Sequence, residues 1–146
     1  MSYFRTARAF SFADVAKITG VSVDTLRSWN TRNPTEYLGG KQGYRIFFNA
    51  LDCYFFSLVR DFINFGVPAR TAMHTAARFT DEAHNGGPVD GEILLVRVDG
   101  EKTEFQLIQS GDDFDRSRPT LMVFPDDNWR VTMERARAIY ATEDDR

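Results

Sequence analysis

The sequence predicts an α+β chain, an N-terminal winged helix-turn-helix that is mostly α, followed by a small β-hairpin or three-stranded region with a closing helix. Three observations carry this expectation. Two short capped helix signals follow one another across the tight turn Thr19-Gly20-Val21-Ser22. A glycine-rich stretch with Gly39, Gly40 and Gly43 then precedes a long apolar run at helical spacing. Beyond Asn85-Gly86-Gly87-Pro88 the pattern turns from helical to extended.

Taken in order, the first helix starts at Ser11-Phe12-Ala13-Asp14, a serine with an acid three residues on, as in a capping box. Val15, Ala16 and Ile18 supply its apolar side, and Gly20 is placed to end it. Ser22 caps a second helix carrying Val23, Leu26 and Trp29, which Asn33-Pro34 closes, since proline disfavours helical backbone in the residue before it. Residues 33–44 read as a loop or small hairpin and Arg45–Phe48 as a short extended piece. Asn49-Ala50-Leu51-Asp52 reads as another capped start. Leu51, Phe55, Leu58, Phe62 and Phe65 give the next helix its apolar periodicity, and Gly66 stops it. Val67-Pro68 opens a further helix reaching about His84. Past the break, Glu92–Asp99 and Thr103–Ser110 flank an Asp99-Gly100 turn, Thr120–Phe124 reads as a third strand, and Trp129–Thr142 as an amphipathic closing helix. The break divides the chain into residues 1–84 and 88–146, with no internal repeat.

Composition sets the class. Of the 146 residues, 42% are hydrophobic and 27% charged, the balance of a globular chain rather than a disordered one. No apolar run approaches the length of a membrane span, and Met1-Ser2-Tyr3-Phe4-Arg5 lacks the apolar stretch of a signal peptide. A single cysteine, Cys53, excludes an internal disulfide and fits a reducing, cytoplasmic setting. The net charge of −3 is unevenly spread: residues 1–70 hold nine Lys and Arg against five acids, and residues 71–146 nine against sixteen. A basic half of +4 beside an acidic half of −7 is the asymmetry of a nucleic-acid module joined to something else.

A helix-turn-helix reads DNA when its second helix stands clear of the domain body. Side chains near that helix's start then reach base edges while basic neighbours hold phosphates. Here Val15, Ala16, Ile18, Val21 and Leu26 are expected to form the internal contact, leaving Ser22, Asp24, Thr25, Arg27 and Ser28 facing outward, with Trp29 in the core.

The segment from Phe12 to Trp29, with Val15-Ala16-Lys17-Ile18-Thr19-Gly20-Val21-Ser22 and then Thr25-Leu26-Arg27, resembles the opening of MerR-family regulators. Gly43-Tyr44-Arg45 is similar to that family's wing strand, Asn49-Ala50-Leu51-Asp52 to the start of its third helix, and Gly66 to the glycine after it. The resemblance covers about residues 10–80. It implies that Ser22, Thr25, Arg27 and Ser28 meet double-stranded DNA from the recognition helix, and that Tyr44 and Arg45, helped by Lys41, touch backbone from the wing. The chain departs from the pattern in two ways. Ser28-Trp29 stands where the family has an aromatic pair, and residues 68–84 are shorter than its long dimerisation helix. A similar Trp variant occurs in excisionases and phage terminase small subunits, so an accessory role in recombination or DNA packaging stands as the alternative.

Other chemistry finds little footing. Gly39-Gly40-Lys41-Gln42-Gly43 lacks the spacing of a P-loop and its following Ser or Thr. His74 and His84 have no partner at ligand spacing, Cys53 sits in an apolar helix, and Asp112-Asp113, Asp115 and Asp126-Asp127 read as solvated loop faces. The expectation is a non-enzymatic, cofactor-free and metal-free transcriptional regulator that binds DNA as a homodimer. Its acidic half is expected to face away from DNA, free for dimer contacts, a ligand or a protein partner.

Overall fold

A computed structural model describes residues 2–144. The chain is α+β. Its elements run α1 (Ser2–Thr6), α2 (Phe12–Thr19), α3 (Val23–Arg32), β1 (Gly40–Gln42), β2 (Arg45–Phe47), α4 (Ala50–Phe65), α5 (Ala69–Ala83), β3 (Glu92–Asp99), β4 (Lys102–Gln109), β5 (Leu121–Val123) and α6 (Pro125–Asp144). The sequence offers no cap for α1, which was not expected. The closing helix begins at Pro125, four residues before the expected Trp129. Proline suits a first helical turn, Asp126 and Asp127 complement the helix dipole there, and the Asn128 N–H already donates to the Phe124 carbonyl at 2.9 Å.

Helix α4 is the axis of the molecule. Asn49 and Asp52 close a capping box at its start, and every residue from Ala50 to Val59 is buried. A helix apolar on all sides must be covered on all sides, and α1, α2, α5 and α6 all pack against it. Much of the filling is aromatic: Phe48 meets Phe56 edge-on at 5.7 Å, Phe55 meets Phe56 at 5.1 Å, and Tyr54 meets Trp129 at 5.0 Å.

β3, β4 and β5 form an antiparallel sheet in the order β4-β3-β5. The β3–β4 register runs unbroken from Glu92↔Gln109 to Asp99↔Lys102. One face, with Leu94, Val96 and Val123, joins the same core as α4, and Phe105 of β4 lies 6.1 Å from Phe62. The hydrophobic core therefore runs straight through the break at 85–88, and residues 88–146 have no separate core on this side. On the other face Ile93, Leu95 and Ile108 pack with Phe114. Arg97, also buried there, donates to Thr120 Oγ1 at 3.2 Å, Gln106 Oε1 at 3.1 Å and the Asp115 carbonyl at 3.2 Å, pinning the 110–120 segment across the sheet.

Candidate nucleic-acid interface

Both helices of the helix-turn-helix begin on the chemistry expected of them. Ser11 accepts from the Asp14 N–H at 3.2 Å while the Asp14 carboxylate accepts from the Ser11 N–H at 3.0 Å. Ser22 accepts from the Thr25 N–H at 3.2 Å and donates its own hydroxyl hydrogen to Thr25 Oγ1 at 2.9 Å. Between the helices Gly20 takes φ +76°, a left-handed cap whose N–H returns to the Ala16 carbonyl at 2.8 Å. Val15, Ile18, Val21 and Leu26 are buried, locking α2 on α3, whereas Ala16 and Trp29 are only half-buried against the core.

The segment joining α3 to the hairpin is ordered by its own side chains. Asn33 accepts from Thr35 N–H and Oγ1 and donates to the Tyr37 carbonyl at 3.1 Å, while Tyr37 stacks on Phe55 and hydrogen-bonds Asp81. β1 and β2 then pair with Gln42 opposite Arg45, leaving Gly43-Tyr44 as a two-residue loop. Gly43 lies at φ +69° and, among the described residues, none other than glycine has positive φ, which is the II′ turn pattern that suits strand twist. The turn leaves the Tyr44 side chain 92% exposed at the hairpin tip. A backbone bridge between Phe10 and Phe48, at 3.0 and 2.7 Å, ties the base of the hairpin to the segment entering α2.

These elements enclose an open cleft of about 550 Å³ lined by Ser11, Phe12, Val23, Arg27, Tyr44 and Arg45, among others. Arg27 and the wing residues Tyr44 and Arg45, taken from separate elements, thus meet across one concavity. The Arg27 guanidinium lies over the Phe12 ring at 5.3 Å, which steadies its stem while leaving the side chain exposed. Ser22, Ser28 and Lys41 are exposed outside the cleft, and Thr25 is half-buried. Among the described residues Arg27, Lys41 and Arg45 enter no salt bridge, so the basic groups on this face are not neutralised by the protein. Ser22 differs from the rest because both functions of its hydroxyl are used within α3.

Residues not singled out from sequence complete the arrangement. Exposed Arg8 packs beside Gly40 of the wing, and its carbonyl accepts from Gln42 Nε2 at 3.3 Å. It precedes the first capped helix, where nothing in the sequence fixes its direction. Arg60, counted with the basic half, points inward. It donates to the Thr19 carbonyl at 2.6 Å and to Asp61 at 2.9 Å. Arg135 of α6 donates to the Ile18 carbonyl at 3.0 Å. The last carbonyls of α2, which have no partner within the helix, thus receive two cations from α4 and α6 at the negative end of the helix dipole. From Asp61 the network continues through Asn128 at 3.1 Å to Ser57 at 2.6 Å, joining α4 to α6.

Burial displaces the neighbouring Asp52 and Cys53 of α4 in pKa. Asp52 is pushed up from 3.8 to about 6 by burial, against the opposing pull of the Asn49 N–H and of Arg8. Burial also pushes the Cys53 thiol well up, so it stays protonated and inert within the helix. The acids at 112, 113 and 115 serve local turns. Asp112 accepts from the Gln109 N–H, and Asp115 from the Ser117 N–H and hydroxyl. No helix among the described residues is long and apolar enough to cross a membrane. Neither a protein-family model nor a curated protein matches the chain.

Proposed function

We propose that the chain binds duplex DNA through α2, α3 and the β1–β2 wing, as a sequence-specific transcriptional regulator acting as a dimer. The observation that carries this reading is the meeting of Arg27 from α3 with Tyr44 and Arg45 from the wing around one exposed cleft, with no carboxylate paired to either arginine among the described residues. Guanidinium groups in such a setting favour phosphate oxygens, and half-buried Thr25 and exposed Ser28 accompany Arg27 on α3 for base edges. Arg8, packed beside Gly40, and exposed Lys41 add further positive charge at the hairpin. A module this small makes too few contacts for tight specific binding alone, which favours two copies on two half-sites. The role is one of binding, with no catalytic group, cofactor or metal invoked.

The test is a titration of labelled duplex DNA, including a random-sequence pool, at several salt concentrations. Log affinity is expected to fall linearly with log salt. Arg27→Ala and Arg45→Ala are expected to weaken binding and reduce the slope by about one each, with thermal midpoints close to the parent. Absence of salt-dependent binding to any duplex at low ionic strength would remove this reading.

A further inference from the structure

We propose that the outer edge of β4 is a self-association surface, and that two copies of the chain pair β4 to β4 across a two-fold axis to make one continuous six-stranded sheet. The sheet order β4-β3-β5 leaves β4 unpaired on one side. The Ser110 N–H donates to the Gly91 carbonyl at 2.7 Å, which sets the phase of the ladder. Even-numbered β4 residues exchange their bonds with β3, so Thr103, Phe105, Leu107 and Gln109 turn their N–H and C=O groups to the free edge. Of these, among the described residues, only the two groups of Gln109 are taken, its N–H by the Asp112 carboxylate at 2.9 Å and its C=O by the Asp112 N–H at 3.0 Å.

Protein edges are usually blunted by shortness, proline or a bulge. The opposite edge, β5, is blunted in that way, being three residues long. β4 has eight residues, no proline and an unbroken register, and it carries Leu107 at 49% exposure.

The occupant is argued from charge and from hydrogen-bond phase. With the two-fold axis at Phe105, Thr103 of one copy pairs with Leu107 of the other and Phe105 with Phe105. Each of these pairs exchanges the two bonds of a closely spaced antiparallel pair. Lys102 then lies opposite Ile108 and Glu104 opposite Gln106, so no like charges face each other directly. Each Glu104 is held by its own Arg118 at 3.1 Å, which offsets the diagonal approach of the two carboxylates. Moving the register one step toward the start of β4 would set Glu104 directly against Glu104, a repulsive pair, and one step toward its end would call on the Gln109 groups that Asp112 already occupies. The exposed Leu107 is covered in the favoured register.

This inference names the surface behind the dimer in the proposed function, but it rests on the sheet alone and is tested without DNA. The mass of the full chain is measured by light scattering across a concentration series, for the parent, Leu107→Lys and Leu107→Pro. Far-UV circular dichroism confirms that each is folded. In parallel, amide hydrogen exchange is read on the parent. The expected result is a parent of twice 16.7 kDa, variants shifted to the monomer, and Thr103, Phe105 and Leu107 amides that gain protection as concentration rises. The proposal is overturned by a parent that stays monomeric throughout, by folded variants that remain dimeric, or by edge amides that exchange freely in a dimer. The exchange measurement decides the matter if neither variant folds. Salt-dependent DNA binding by a monomer would sink the dimer surface and leave the DNA reading standing.

Discussion

At the C-terminus of α2, two arginines distant in sequence do what a local cap cannot. Arg60 and Arg135 hold the Thr19 and Ile18 carbonyls and fasten the helix-turn-helix to the body of the protein. A charge-assisted bond of this kind is worth about 1–2 kcal/mol when partly shielded. Arg135→Ala is therefore expected to lower stability by about that much and to speed amide exchange in α2 first, as read by denaturant titration and hydrogen exchange. An unchanged α2 would mean that the contact is ornamental. Asp52 gives a pH signature. Its folded pKa of about 6 lies above its ordinary 3.8, so the native state keeps a proton that the unfolded chain has released between those values. Stability from this group is full below about pH 4 and is lost as pH rises through about 6, a swing of up to about 3 kcal/mol. Asp52→Asn keeps an acceptor for the cap. The stability of the parent relative to this variant is expected to fall as pH rises from 4 to 7, and a flat difference would contradict the burial argument.

Among the elements, those legible in the sequence are the ones whose causes are local. Ser11 with Asp14, Ser22, and Asn49 with Asp52 each form the cap their spacing implies. Gly20 takes the left-handed backbone that the turn requires. A Cβ at Gly20 would meet nothing within 4 Å, so Gly20→Ala tests backbone strain alone. It is expected to cost about 1 kcal/mol by thermal or chemical unfolding. A cost of several kcal/mol would point instead to a packing role. What sequence could not give depends on distant partners. The start of α6 is tied to the segment before β3, where the Gly91 N–H donates to the Asp126 carboxylate at 3.0 Å, and nothing in residues 120–128 announces the pairing of β5 with β3. The inward direction of Arg60 is equally invisible, because its acceptor lies forty-one residues away. Of the seven residues named for DNA contact only Arg27, Tyr44 and Arg45 meet around one cleft, and their meeting depends on the Gly43-Tyr44 turn and the Phe10–Phe48 bridge.

For the molecule as a whole, the break at 85–88 marks a change of secondary structure but does not interrupt the core. Leu94, Val96, Val123, Met133 and Ala136 pack in the same cluster as Phe10, Leu26 and Phe62. A shared core of this kind unfolds as one unit. Calorimetry is expected to give a single transition whose calorimetric and van't Hoff enthalpies agree, and two separable transitions would show that the halves are energetically independent. The uneven charge, +4 in residues 1–70 and −7 in residues 71–146, is then carried by one body with a shared core. The acidic half builds the sheet and the closing helix, and the wing face is the one proposed to meet an anionic partner. The most direct measurement is the salt dependence of binding to duplex DNA by the parent chain beside Arg27→Ala and Arg45→Ala. The expected result is a linear fall of log affinity with log salt, with a shallower slope and weaker binding in each folded variant. Folded variants that bind duplex as tightly as the parent, with the same slope, would contradict the assignment of this cleft to DNA.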